Sequence, residues 1–167
     1  MKKPWLVVYS SMTGNTKKIA EAIFQVLPKG SEIFSVEEAP PADNYEKVAI
    51  GYWADKGTAD KKAMEYLNKV TDAQVFIFAT LGAYPDSEHA RNVLARGAAL
   101  LGEGCTVLGD FICQGKLSEE LMARAKQRPA GHPHAPTPER IQRWLDASTH
   151  PDEQDCSNVQ ATVKKVL

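Results

Sequence analysis

A hydroxyl-rich turn near the start of the chain has the residue types that hold an anion. Residues 10–16 read Ser-Ser-Met-Thr-Gly-Asn-Thr and contain four hydroxyl side chains and one glycine. The turn follows an apolar run, residues 5–9, and precedes a segment, residues 15–27, with apolar residues at helical spacing. Backbone N–H groups in such a turn, together with the positive end of a helix, bind phosphate without a buried cation. The pattern predicts a phosphate site built from strand, turn and helix.

The features that other phosphate-binding loops need are missing from this turn. A Walker A loop ends in Gly-Lys-Ser/Thr, but Gly14 is followed by Asn15 and Thr16. A dinucleotide-binding turn needs three glycines, and this turn has one. A phosphatase loop needs a cysteine nucleophile, and the first cysteine of the chain is Cys105. Because no Lys or Arg lies between Val7 and Thr16, neutral dipoles would hold most of the phosphate charge.

The turn and its preceding strand resemble the phosphate loop of the flavodoxin family. The matching residues are Val7-Val8-Tyr9-x-Ser11-x-x-Gly14-x-Thr16, with Ala20 and Ile23 beyond them, and the resemblance covers roughly residues 4–148. It implies an α/β fold, a flavodoxin-like doubly wound five-stranded parallel sheet in the order 2-1-3-4-5. It also implies that FMN is the cofactor and that its phosphate lies in the turn.

The apolar pattern along the chain agrees with such a sheet. Strands are predicted at residues 5–9, 32–36, 47–53, 74–80 and 105–113, and the continuous apolar run 74–80 suits a central strand covered on both faces. Helices are expected to begin after Thr58, Ser87, Ser118 and Thr137. Alternating strands and helices predict parallel pairing with right-handed crossovers.

The chain is predicted to be a single domain, residues 1–167, in which residues 149–167 form a C-terminal extension. Val159, Val163 and Val166 recur there at helical spacing. In the helix that follows Thr137, Ile141, Trp144 and Leu145 are expected to face inward.

Composition limits the possible partners and the compartment. The net charge of −1 gives no reason to expect a nucleic-acid partner. This near-neutral charge differs from that of most flavodoxins, which are usually strongly acidic. No apolar run is long enough to span a membrane. Three cysteines without paired spacing indicate reduced thiols, and therefore a cytoplasmic protein.

The resemblance assigns the cofactor to three loops. Flavodoxins place the isoalloxazine ring between aromatic side chains of their second and third loops, and Trp53 and Tyr84 follow the third and fourth predicted strands. Many flavodoxins have a glycine directly after the first of these aromatics, whereas in this chain the first glycine after Trp53 is Gly57. The expected cofactor-binding residues are Ser10, Ser11, Met12, Thr13, Gly14, Asn15, Thr16, Trp53, Ala54, Asp55, Lys56, Gly57, Thr80, Leu81, Gly82, Ala83 and Tyr84.

No catalytic residue and no metal ligand is predicted. His132 and His134 have no carboxylate or cysteine beside them in sequence, and Cys113, at a strand end, is interpreted as a packing residue. The resemblance implies a monomeric electron carrier that takes electrons from a reductase and passes them to a partner redox enzyme. The alternative that stays open is an FMN-dependent NAD(P)H:quinone or flavin reductase, an enzyme that would need a second substrate pocket above the flavin.

Overall fold

The computed structural model describes residues 1–133 and 135–167. His134, which the sequence places in a surface loop at residues 128–136, lies outside the described residues. The strands are β1 (Lys3–Tyr9), β2 (Glu32–Ser35), β3 (Tyr45–Asp55), β4 (Thr58–Ala59), β5 (Gln74–Leu81) and β6 (Thr106–Gln114). The helices are α1 (Asn15–Gln25), α2 (Lys61–Lys69), α3 (Glu88–Ala99), α4 (Glu119–Lys126), α5 (Pro138–Ala147) and α6 (Glu153–Lys164), and a 3₁₀ turn lies at Ala42–Asn44.

Five parallel strands form the sheet in the order β2-β1-β3-β5-β6. This is the predicted order 2-1-3-4-5, since β5 and β6 are the fourth and fifth predicted strands. The additional strand β4 has two residues and pairs with the end of β3, outside this order. The doubly wound α/β architecture is therefore confirmed. The order reverses between β1 and β3, and ligands of open parallel sheets bind beside such a reversal, outside the carboxyl ends of the strands.

The short strand β4 was not predicted, and it changes the start of α2. Lys56 and Gly57 both have left-handed backbone angles, with φ of 52° and 81°, so they form the tight turn of a β-hairpin. The expectation that Thr58 caps the next helix is wrong, because Thr58 pairs in β4. Asp60 is the N-cap instead, and its carboxylate accepts a hydrogen bond from Ala63 N at 3.4 Å.

Each face of the sheet carries its own layer of helices. Successive strand residues point to opposite faces, so one strand contributes to both layers. On one face, buried side chains of β1, β3 and β5 pack against Leu67 of α2 and Val93 of α3. On the other face, Val7, Phe76 and Phe78 are among the residues that pack against α1 and α6.

The C-terminal helix α6 is part of this second layer. Val159 and Val163 are fully buried, as expected from their helical spacing. Gln160 Nε2 donates to Ala22 O of α1 at 2.9 Å, and Lys47 Nζ donates to Val166 O at 2.8 Å. Residues 153–164 therefore cover the sheet beside α1.

Helices α4 and α5 lie outside both layers. No residue of α4 is buried, and Ala147 is the buried residue of α5. Ile141 is 42% exposed and Leu145 is 60% exposed, so the expectation that these two side chains face inward is wrong. The physical reason is that α1, α6, α2 and α3 already cover the two faces of the sheet. None of the helices in the described ranges has the length and apolar character that crossing a bilayer requires.

Candidate functional site

A cleft lies at the carboxyl ends of the strands, where the loops after β1, β3, β5 and β6 meet. The structure brings together most of the residues that the sequence assigns to the cofactor. Those that line the cleft are Ser11, Met12, Thr13, Asn15, Thr16, Trp53, Ala54, Asp55, Thr80, Leu81 and Gly82. The predicted residues that lie outside this lining are Ser10, Gly14, Lys56, Gly57, Ala83 and Tyr84.

Gly14 joins the loop after β1 to α1. Its φ of 96° is left-handed, a conformation that glycine adopts without strain. Gly14 N donates to Ser11 Oγ at 3.0 Å, and Gly14 O accepts from Lys18 N at 3.1 Å. The first N–H groups of a helix have no partner within it, so the N–H groups at the start of α1 remain available to a ligand beside Asn15 and Thr16.

A buried hydrogen bond joins the first loop to the end of β5. The hydroxyls of Thr16 and Thr80 are 2.9 Å apart, and both side chains are buried while their residues line the cleft. The bond holds the start of α1 over the sheet. It also leaves each hydroxyl with further capacity, because a hydroxyl offers one donor and two acceptor sites.

Ser10 supports the loop from below instead of facing the cleft. It is buried, and its Oγ donates to Asp60 Oδ2 at 2.5 Å. The other oxygen, Asp60 Oδ1, is buried and has no hydrogen-bond partner among the described residues. Burial raises the pKa of Asp60, and the hydrogen bonds from Ser10 and Ala63 only partly oppose this effect.

We expect Asp60→Asn to change how the free energy of unfolding depends on pH. A carboxyl whose pKa is raised by folding contributes stability below its unfolded pKa, and that contribution is lost as the pH rises through the folded pKa. Asparagine caps helices as well as aspartate does but has no proton to lose. In urea titrations between about pH 4 and pH 8, the stability of the variant relative to wild type should therefore increase with pH. A difference that stays constant across this range would contradict the assignment.

The residues of the β3–β4 hairpin divide between the cleft and helix α3. Trp53, Ala54 and Asp55 line the cleft. The turn itself contacts α3, because Arg96 donates to Gly57 O at 2.8 Å. Lys56 and Gly57 thus position the preceding residues.

Tyr84, in the loop after β5, lies outside the cleft lining and contacts α5. The side chain is 37% exposed, and its hydroxyl donates to Asp146 Oδ2 at 2.6 Å. Gln142 Nε2 donates to the other carboxylate oxygen at 2.9 Å. The hydrogen bond between the phenol and the carboxylate raises the pKa of Tyr84 and lowers that of Asp146. It ties the loop after β5 to α5.

A fourth loop, which follows β6 and includes the start of α4, also lines the cleft and was not predicted from the sequence. Its backbone is held by Gly115 N, which donates to Leu81 O at 2.8 Å, and by Lys116 O, which accepts from Asn15 Nδ2 at 2.9 Å. The strand order could have indicated this loop, since β6 ends at the same edge as β5. The cleft residues added by it are Gly115, Lys116, Leu117, Ser118 and Leu121.

Cys113, at the end of β6, packs against the layer of α1 and α6. It is buried, and burial raises the pKa of its thiol, so the nucleophilic thiolate is disfavoured.

Comparison with known proteins identifies the family. A profile of the flavodoxin domain family matches residues 6–164, nearly the whole chain. The chain belongs to the flavodoxin family. It is 32% identical to the flavodoxin-like domain-containing protein BilS of Clostridioides difficile (strain CD3), across 97% of this chain and 95% of that protein. It is 28% identical to BilS of Clostridium symbiosum (strain WAL-14163), across 93% of this chain and 92% of that protein.

Solved structures of other flavodoxin-like proteins share the fold at low sequence identity. Oxidised flavodoxin 2 from Bacillus cereus has a TM-score of 0.52 at 15% identity, over 98% of this chain and 99% of that one. A flavoprotein from Lactobacillus acidophilus NCFM, solved in complex with FMN, has a TM-score of 0.53 at 18% identity, over 66% of this chain and 93% of that one.

Proposed function

We propose that this flavodoxin-family chain binds FMN in the cleft and carries electrons between partner redox proteins. One observation supports the proposal above the others. A single cleft joins the free N-terminal end of α1 to the aromatic side chain of Trp53, at the point where the strand order reverses. A phosphorylated aromatic ligand requires this combination of donors at one end and an apolar wall at the other. The FMN held by the Lactobacillus acidophilus flavoprotein supports the choice of ligand.

The residues of the cleft divide into a polar end and an apolar end. At the polar end, the N–H groups at the start of α1 and the hydroxyls of Thr13 and Thr16 would hold the phosphate. At the apolar end, Trp53, Leu81 and Leu117 would hold the isoalloxazine ring. A Cβ at Gly82 would lie only 2.8 Å from Leu117 Cδ1, so the absence of a side chain at position 82 lets the loop after β6 pack against the loop after β5.

The protein positions the cofactor, and bound FMN supplies the redox chemistry, since flavins take up and release electrons. Met12 and Leu121, at the rim of the cleft, have exposed side chains. A ligand in the cleft would therefore have an edge that a partner protein can approach. We propose a reductase as the donor and a redox enzyme as the acceptor, with this chain acting as a monomer in the cytoplasm.

A flavin or quinone reductase is the second candidate function. It is favoured by the wall that Ser118 and Leu121 add to the cleft beyond the residues proposed to hold the flavin, because a second substrate needs surface of its own. The two candidates differ in what the pure protein does. An enzyme of this class would oxidise NAD(P)H steadily when a quinone or free flavin is supplied, whereas a carrier would need a separate reductase.

The direct test is titration of the apoprotein with FMN, followed by absorbance and by fluorescence quenching. We expect stoichiometric binding and a protein that is reduced by a separate flavodoxin reductase but not by NAD(P)H alone. Failure to bind FMN would contradict the proposed cofactor. Steady NAD(P)H oxidation by the FMN-bound protein alone would establish the second candidate.

We expect Thr16→Ala to weaken FMN binding by roughly tenfold or more while riboflavin binding changes little, because hydrogen bonds to a charged phosphate are worth about 1.5–3 kcal/mol. Thr16→Ser, which keeps the hydroxyl, should bind FMN nearly as well as wild type. The two flavins differ only in the phosphate, so equal losses for both in parallel titrations would show that Thr16 does not act on it.

A further inference from the structure

We propose that Lys116, in the loop after β6, supplies the positive charge that binds the cofactor phosphate. This inference rests on the FMN binding proposed above. Residues 10–16 contain no Lys or Arg, so the loop after β1 offers the phosphate only neutral donors. A phosphate monoester carries roughly −1.5 to −2 charges near neutral pH, and such an anion is bound more strongly when its hydrogen-bond donors include a cation.

The backbone of Lys116 is fixed beside the start of α1. Asn15, the first residue of α1, donates from Nδ2 to Lys116 O at 2.9 Å. Lys116 N donates to His150 O at 2.9 Å. The preceding residue, Gly115, is packed so closely that a Cβ there would lie 2.6 Å from Asn15 Nδ2. The side chain of Lys116 therefore extends from a backbone that is held on both sides, and it does so next to the helix end whose N–H groups are free.

The ammonium group of Lys116 is available for a ligand. Its side chain is exposed and the residue lines the cleft. Within residues 1–133 and 135–167, this ammonium has neither an ion pair nor a hydrogen bond. The two lysines in the first turns of α1 are engaged elsewhere, since Lys17 lies 4.0 Å from Glu21 and Lys18 Nζ donates to Pro151 O at 2.7 Å.

The position of Lys116 favours the phosphate over the flavin ring as its target. The contact with Asn15 places Lys116 at the start of α1, whereas Trp53, which would hold the ring, stands at the end of β3. A lysine side chain has a flexible four-carbon stem and a compact charge, so the ammonium can move onto phosphate oxygens when they arrive. The loop after β1 thus supplies the neutral donors, and the loop after β6 supplies the cation.

The test compares FMN with riboflavin on the variant Lys116→Met at low and high salt. We expect FMN affinity at low salt to fall roughly tenfold, and the salt dependence of FMN binding to decrease, because an exposed charge pair is screened by ions. Riboflavin affinity should change by less than about twofold, since it lacks the charged group. Lys116→Arg, which keeps the charge, should retain most of the FMN affinity.

Lys17→Met is the matched control. It also removes one lysine charge, in this case from the first turn of α1 itself, but Lys17 lies outside the cleft lining, so FMN affinity should fall by no more than about twofold. Equal losses of FMN affinity in the two lysine variants, or equal losses of FMN and riboflavin in Lys116→Met, would overturn the role of Lys116. If Lys116→Met does not fold, Lys116→Gln provides the same comparison. A wild-type protein that binds neither flavin would instead overturn the proposed function.

Discussion

Replacing Gly51 by alanine is expected to lower the free energy of unfolding by about 3 kcal/mol or more. Gly51 of β3 is directly opposite Phe78 of β5, and the Phe78 ring covers it. A Cβ at position 51 would lie 2.0 Å from Phe78 Cε2 and 2.2 Å from Cζ. Because Phe78 is fully buried, its ring cannot move aside without disturbing the layer of α1 and α6.

A second glycine–phenylalanine pair in the same sheet supplies the control. Gly109 of β6 is opposite Phe76 of β5, but a Cβ there would lie 3.4 Å from the nearest ring atom, an approach that needs little adjustment. We expect Gly109→Ala to change the free energy of unfolding by no more than about 1 kcal/mol. Urea titration measures both variants. Adding Phe78→Leu to Gly51→Ala should recover part of the loss, and similar stabilities for the two single variants would contradict the role given to the Phe78 ring.

Removing the Trp53 side chain is expected to weaken binding of both FMN and riboflavin by roughly ten- to hundredfold, because stacking of an aromatic ring on an aromatic side chain contributes about 1–3 kcal/mol. Trp53 is the aromatic residue that lines the cleft, and both flavins carry the same ring. Fluorescence titration of Trp53→Ala with each flavin measures the effect. A loss confined to FMN would show that Trp53 does not contact the ring.

Tyr84→Ala distinguishes the two aromatic positions that the sequence predicts beside the ring. In the structure Tyr84 lies outside the cleft lining and donates to Asp146. We therefore expect Tyr84→Ala to change flavin affinity by no more than about twofold, the usual range for a surface substitution. A loss as large as that of Trp53→Ala would show that Tyr84 leaves Asp146 and covers the ring when the flavin binds.

The sequence by itself determined the sheet and the first part of the site. Strand and helix patterns are local, and a turn that directly follows a buried strand must lie at the carboxyl edge of a parallel sheet. For this reason residues 10–16 and Trp53 could be assigned to one edge from their place in the chain alone. The strand order came from the family resemblance, which rests on the same local residues.

The helix caps and the hairpin depended on weaker local signals. Thr58 and Asp60 are both good N-cap residues, and either could start the helix that carries Ala63. Pairing with β3 places Thr58 in a strand, so Asp60 takes the cap and also receives the hydrogen bond from Ser10. That second contact joins residues fifty positions apart, which no local pattern encodes.

Tertiary structure alone decided the rest of the site and the use of the last helices. The contact between Asn15 and Lys116 depends on which loops meet at the edge of the sheet, and the spacing of residues along the chain does not predict it. An apolar stripe likewise shows that a helix has an apolar face, but not what will cover that face. Both α5 and α6 have such residues, and α6 is the one that packs beside α1, so Leu145 of α5 remains exposed to solvent.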